Sequence, residues 1–280
     1  MERQAATIPA VHAQAAEIPK LGFGTWELEG SEAEEGVRDA LEIGYRHIDT
    51  ARAYGNEREV GTAIGGSGID RDEIFLTTKL WFEDLAPDDV TAQLHDSLKA
   101  LGSDYVDLLL VHWPNPEFPV ARTLEAMAEL REQGKIRHLG VSNFPTAELE
   151  EALSLSSAPL LANQIEMHPY LDQSELVGFA AERGIAIEAY SPLAHGEVLG
   201  DEVLAEIGER HDKSAPQVAL RWLVEHPNVV ALPRSSSHEN RVANLDVFDF
   251  ELEQGERERI AALARPDGRQ IDPEFAPDWD

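Results

Sequence analysis

The feature that most constrains this chain is a regular alternation. Eight short apolar segments recur along it, separated by stretches whose apolar residues fall at helical spacing. They are LGFGTW (21–26), HIDT (47–50), IFLTTKL (74–80), VDLLLVHW (106–113), IRHLGVSN (136–143), LANQIEM (161–167), IAIEAY (185–190) and VVALPRS (229–235). Successive segments begin roughly 25–30 residues apart, the length of one strand with its crossover helix. Only the gap between the seventh and eighth is longer, and it holds two helical patterns, about 201–211 and 215–225. Punctuation supports the helices. Ser31 with Glu34 reads as a capping box opening a helix that Gly44 closes. Gly134 ends a helix that begins near Pro119, and Gly184 one that begins near Asp172. Ser214 before Ala215 and Pro216 is a further helix start.

Eight strand–helix units without a polar linker predict an α/β fold, a single (β/α)8 TIM barrel occupying 1–280 as one domain. Residues 1–19 would be an N-terminal plug segment and 266–280 an extended C-terminal tail. The plug stretch TIPAVHAQAAEIP has no Gly or Asn turn signal, so a loose, irregular plug is expected. A doubly wound sheet is the structural alternative. Against it, no strand runs into GxGxxG, since Gly22 and Gly24 are followed by Thr25, Trp26 and Glu27.

Composition narrows the function. With 23 basic and 53 acidic residues the net charge is −30, which repels nucleic-acid phosphates and argues against a nucleic-acid partner. There is no cysteine, which excludes disulfides, Cys-ligated zinc, iron–sulfur clusters and thiol nucleophiles. No metal is expected, because no EF-hand loop or similar ligand pattern occurs. No apolar run reaches the ~18 residues of a membrane span, and the N-terminus does not read as a signal peptide. A cytoplasmic location and no membrane association are the expectations. The acids are dispersed, and only five lysines stand against 18 arginines. That pattern reads as a surface adapted to high salt, where self-repulsion is screened.

In a barrel the carboxyl ends of the strands carry the chemistry. Here they supply Trp26, Asp49, Lys79, His112, Ser142, Asn143, Gln164, Tyr190, Arg234 and Ser235. Asp49 and Lys79 end neighbouring strands, so an ion pair between them is geometrically natural. Tyr54 follows five residues after Asp49, where an ammonium would stabilise its phenolate and lower its pKa from about 10. Such a pair can protonate a carbonyl oxygen as hydride arrives, with His112 holding that oxygen. Each residue alone has a plainer reading: a loop cap, a solvated lysine, a core histidine, a surface tyrosine. Four of them on three consecutive units make coincidence a poor account. Trp26, Trp81 and Trp113 sit at the same ends and would line an aromatic substrate pocket, packing being the alternative.

The runs GFGTW, HIDTARAYGNEREVG, LTTKLW, LLLVHWP, GVSNF, NQIEMHPY, AYSPL and LPRS, in that order from about residue 20 to 263, resemble the aldo-keto reductases. The short loops look most like the prokaryotic 2,5-diketo-D-gluconate reductase branch. The resemblance implies NADPH-dependent reduction of aldehydes and ketones, with NADH as a possible substitute and a small carbonyl compound as substrate. It implies that Asp49, Tyr54, Lys79 and His112 form the catalytic tetrad, with Tyr54 as general acid. Ser142, Asn143 and Gln164 would bind the nicotinamide carboxamide, with Tyr190 stacked on its ring. Ser191, Pro192 and Leu193 would continue toward the pyrophosphate. Arg234 and Ser235 would lie beside the adenosine 2′-phosphate and Asn244 near the adenine.

Two departures weaken the expected NADPH preference: Arg234 stands where the family usually has Lys, and Asn240 where it usually has Arg. Arg241 is one position later, about 100° round a helix. Two other functions remain open, a Schiff-base lyase using Lys79 and a non-catalytic NADP(H)-binding sensor subunit. A monomer is expected.

Overall fold

The structure, a computed structural model, describes residues 8–280. In chain order its elements are β1 (Ala10–Ala13), β2 (Ala16–Pro19), β3 (Phe23–Gly24), α1 (Gly30–Ile43), β4 (His47–Asp49), α2 (Glu57–Gly66), β5 (Phe75–Leu80), α3 (Pro87–Leu101), β6 (Val106–Val111), α4 (Val120–Glu132), β7 (Ile136–Ser142), α5 (Thr146–Leu155), β8 (Leu160–Glu166), α6 (Ser174–Glu182), β9 (Ala186–Tyr190), α7 (Glu202–His211), α8 (Ala215–Glu225), β10 (Val229–Ala231), α9 (His238–Leu245) and α10 (Gln254–Ala261). β3 to β10 form one parallel sheet in sequential order. The sheet closes on itself. Leu21 bridges Ala231 in parallel, and the Gly22 and Gly24 amides donate to the carbonyls of Ala231 (2.9 Å) and Pro233 (3.1 Å). At this seam a Cβ on Gly22 would come within 2.6 Å of Leu232 and 2.9 Å of His47, so only glycine fits. The result is a (β/α)8 barrel, and every apolar segment read as a strand contributes one.

Two sequence expectations need correction. The N-terminal segment is a regular antiparallel hairpin, β1 with β2, and not an irregular plug. Its two-residue turn holds Gln14 at φ 43° and Ala15 at φ 65°, the left-handed geometry that Asn-Gly usually supplies. The strain is offset by burial: Val11 and Ile18 pack into one apolar cluster with Leu108, Leu110 and Leu161 inside the barrel. The capping box is also misplaced. α1 starts at Gly30 with Glu29 as N-cap and no side-chain cap, and Glu34 pairs instead with Arg38 one turn on. The capping box at Ser214, by contrast, is present, completed by Gln217.

The chain after Arg265 runs back over the carboxyl ends of the strands. Glu166, fully buried at the end of β8, accepts the backbone amides of Gln270 (2.8 Å) and Ile271 (3.0 Å). At the far end the Asp280 carboxylate accepts from the Thr146 amide (2.9 Å) and hydroxyl (2.8 Å). An anion there satisfies free N–H groups at the start of α5.

Candidate active site

The carboxyl ends of the strands surround a cavity of about 930 Å³. At its floor Lys79, buried on β5, donates to Asp49 Oδ1 (2.7 Å), the Thr50 carbonyl (2.9 Å) and the Tyr54 hydroxyl (3.1 Å). Residues 52–54 form a single 3-10 turn closed by Gly55 at φ 68°, which swings Tyr54 back over the barrel. Burial pulls the Lys79 pKa down, but the Asp49 carboxylate and the Tyr54 oxygen together outweigh it and hold the pKa above the ordinary value.

Tyr54 behaves differently from the sequence expectation. Burial pushes its phenol above 10, and the opposing pull of Lys79 does not overcome it. The geometry of the pair is as expected, but burial holds the phenol protonated.

His112 stands opposite, its ring 5.7 Å from that of Tyr54 and 5.5 Å from that of Trp81. Burial and the nearby Lys79 push its pKa well below 6.5, so the imidazole is neutral. Its Nδ1 is buried without a partner.

β7 and β8 end side by side. Ser142 Oγ donates to the Gln164 carbonyl (2.9 Å), and Asn143, at φ 62°, donates through Nδ2 to the His112 carbonyl (3.0 Å). Asn tolerates that left-handed conformation better than most residues. The Tyr190 hydroxyl donates to Asn143 Oδ1 (2.8 Å), and burial raises its pKa well above 10. Gln164 Nε2 donates both to Asp49 Oδ2 (2.8 Å) and to Glu188 Oε2 (2.8 Å).

Ser191, Pro192, Leu193, Arg234, Ser235 and Asn244 also line the cavity. Arg234 is exposed and donates to the Glu27 carbonyl (3.1 Å). Arg241 is not available there. Its guanidinium is buried against Asp39 (2.6 Å) and the Ser235 carbonyl (2.8 Å), on the side away from the cavity.

The three tryptophans all line the cavity. Trp81 and Trp113 meet Phe275 of the tail edge-on, at 6.0 and 5.5 Å, while Phe275 stacks on Phe82 at 4.2 Å. Trp26, 39% exposed, lies 5.6 Å from the ring of His195 across the mouth. Sequence reasoning missed His195, Phe275 and Glu188. Only Glu188 left a signal, a lone acid inside the apolar strand IAIEAY.

The family model described as the aldo/keto reductase family matches residues 20–265. An aldo-keto reductase of Mycolicibacterium smegmatis is 45% identical over 258 residues, 92% of this chain and 93% of that one. The glyoxal reductase of Bacillus subtilis is 44% identical over 248 residues, 88% and 89% of the two chains. A crystal structure of a protein provisionally named 2,5-diketo-D-gluconic acid reductase B superposes with a TM-score of 0.96 at 45% identity, covering 98% of each chain. The Bombyx mori aldo-keto reductase in complex with NADP gives 0.90 at 32% identity, covering 98% of this chain and 100% of that one. The chain belongs to the aldo/keto reductase family, and it is an oxidoreductase.

Proposed function

We propose that this protein reduces aldehydes and ketones to alcohols with NADPH, using the four residues at the cavity floor. The single observation that carries the residue assignment is the Asp49–Lys79–Tyr54 contact chain facing His112 in the cavity. The donor set fits the nucleotide: amide and hydroxyl groups of Ser142, Asn143 and Gln164, the flat ring of Tyr190, and the cation Arg234 beside the Ser235 hydroxyl and the N-terminus of α9. When bound, NADPH supplies the hydride. Tyr54 delivers its proton to the carbonyl oxygen as negative charge develops there, and Lys79 then stabilises the phenolate left behind. Asp49 keeps Lys79 charged and in place. The neutral imidazole of His112 donates one hydrogen bond to the same oxygen and fixes the carbonyl's orientation. Trp26, Trp81 and Trp113 enclose the substituents of a small substrate.

The glyoxal reductase and the methylglyoxal reductases DkgB among its relatives make small dicarbonyls the first substrates to try. The test is loss of the nicotinamide band when purified protein is mixed with NADPH and a panel of aldehydes and dicarbonyls, in molar salt. No turnover across the panel contradicts the reading. The lyase alternative is disfavoured by Lys79 itself, held protonated by Asp49 and therefore a poor nucleophile. A sensor subunit would need no proton donor, so the Tyr54–Lys79 contact argues against it. No described helix is long and apolar enough to cross a membrane. A monomer in a salt-rich cytoplasm is part of the same proposal, motivated by the charge of −30 and the absence of cysteine.

A further inference from the structure

Glu188 lies fully buried on β9, and the family reading gives it no work. Its Oε2 accepts from Gln164 Nε2 (2.8 Å), and the same nitrogen donates to Asp49 Oδ2 (2.8 Å), so one amide bridges two acids. Its Oε1 has no hydrogen-bond partner, and His47 Nε2 lies 3.7 Å from it, beyond hydrogen-bond reach. His47 cannot act as a counter-cation, because burial lowers its pKa to about 3. The charged and titratable groups facing Glu188 are therefore His47 and Asp49 on β4 and Lys79 on β5. β10 alongside it and the buried side of the hairpin contribute only apolar side chains. A carboxylate with a bare buried oxygen and a second acid one amide away is unfavourable, and a proton on Oε1 removes the conflict.

We propose that Glu188 is a positioning residue of the reduction site that controls the ionisation of Tyr54 through Gln164, Asp49 and Lys79. As a neutral acid it holds the Gln164 amide and leaves Asp49 as the carboxylate in contact with Lys79. Burial and the charge of Asp49 push its pKa up to about 8. Above that pH it ionises and adds a second negative charge to the site. Removing a proton from Tyr54 then creates a third, so the phenol retains its proton to higher pH. Reduction needs the phenol and alcohol oxidation needs the phenolate. Ionised Glu188 thus extends reduction into alkaline conditions and holds oxidation back. This inference rests on the reductase reading above.

The test is the Glu188→Gln variant, which keeps an acceptor for Gln164 and cannot ionise. Below about pH 7 its kcat for reduction should match that of the wild type within about twofold, because Glu188 is neutral there. Above about pH 8 the variant should fall first, its alkaline midpoint lower by about one pH unit, the effect of one nearby charge at an effective dielectric constant of about 20. Superimposable profiles, or a uniform loss at every pH, overturn the proposal. A readout without turnover runs beside it: ultraviolet difference titration of tyrosinate, referenced to Tyr54→Phe, in which the Tyr54 midpoint should also be lower in Glu188→Gln. Should that variant not fold, infrared difference spectra of Glu57→Gln, which removes the other buried acid whose pKa burial raises near Lys79, must show a protonated carboxyl lost between about pH 7 and 9. Its absence also overturns the proposal. Inactive wild type would defeat the reductase reading, while the two spectroscopic titrations would still decide the role of Glu188.

Discussion

The ammonium of Lys79 lies 3.1 Å from the hydroxyl of Tyr54 and 2.7 Å from Asp49, so one buried cation contacts the phenol and is itself held by an acid. Burial raises the pKa of Tyr54, and Lys79 is the main influence pulling the other way. In Lys79→Met the phenol loses that support and its pKa rises further. Reduction should slow by about 10²-fold or more. Oxidation of the alcohol, which needs the phenolate, should be lost across the accessible pH range. Asp49 is left buried without its cation, so stability should also drop, by roughly 3–5 kcal/mol. Rate–pH profiles in both directions and a thermal melt check this. An unchanged oxidation profile contradicts it.

On the proposed reading, the choice of nicotinamide rests on Arg234. Arg241 is spent on Asp39, and Asn240 carries no charge. Arg234→Ala should raise KM for NADPH by about tenfold, the scale of one exposed charge-assisted contact, and leave KM for NADH within about twofold. High salt should erode the same preference in the wild type by screening an exposed pair. Equal weakening of both cofactors would remove Arg234 from this role.

The tail forms part of the pocket wall. Gly268 packs so closely on Tyr170 that an added Cβ would sit 1.8 Å from its carbonyl oxygen. Gly268→Ala must therefore shift the tail, and with it Phe275 on Trp81 and Trp113. KM for aromatic aldehydes should rise about tenfold, the loss of one aromatic contact, with the smallest dicarbonyls affected less. Steady-state kinetics on the two substrate classes decides this, and equal effects on both would refute the wall.

Salt should matter to the whole molecule. With a charge of −30, self-repulsion in dilute buffer opposes compaction, and ions screen it over about 10 Å at 0.1 M. Activity and melting temperature should rise together as salt is added toward molar concentration. A flat response defeats the salt-adapted surface and leaves the reductase reading intact.

The fold and the cluster of polar residues at the strand ends were both legible because they depend on local, periodic signals. All eight apolar runs became strands, and strand-end residues such as Asp49, Lys79 and His112 converge by the geometry of any closed barrel. What was missed depends on tertiary context. The Gln14–Ala15 turn carries no turn residue, and burial of Val11 and Ile18 imposes it. Ser31 fits a capping box by spacing, but α1 starts one residue before it. Tyr54's ionisation was misjudged because a sequence shows its neighbour Lys79 but not how strongly the surrounding barrel desolvates the phenol. Glu188 reads as one acid in a strand, and its importance appears only when Gln164 joins it to Asp49.

The central claim is that Tyr54 supplies the proton. Tyr54→Phe keeps the ring and removes the one hydroxyl that Lys79 reaches among the described residues. Turnover of a good carbonyl substrate with NADPH should fall by about 10²–10⁴-fold, while NADPH affinity, read by quenching of tryptophan fluorescence, changes by less than about twofold. Near-normal turnover in that variant would contradict the account.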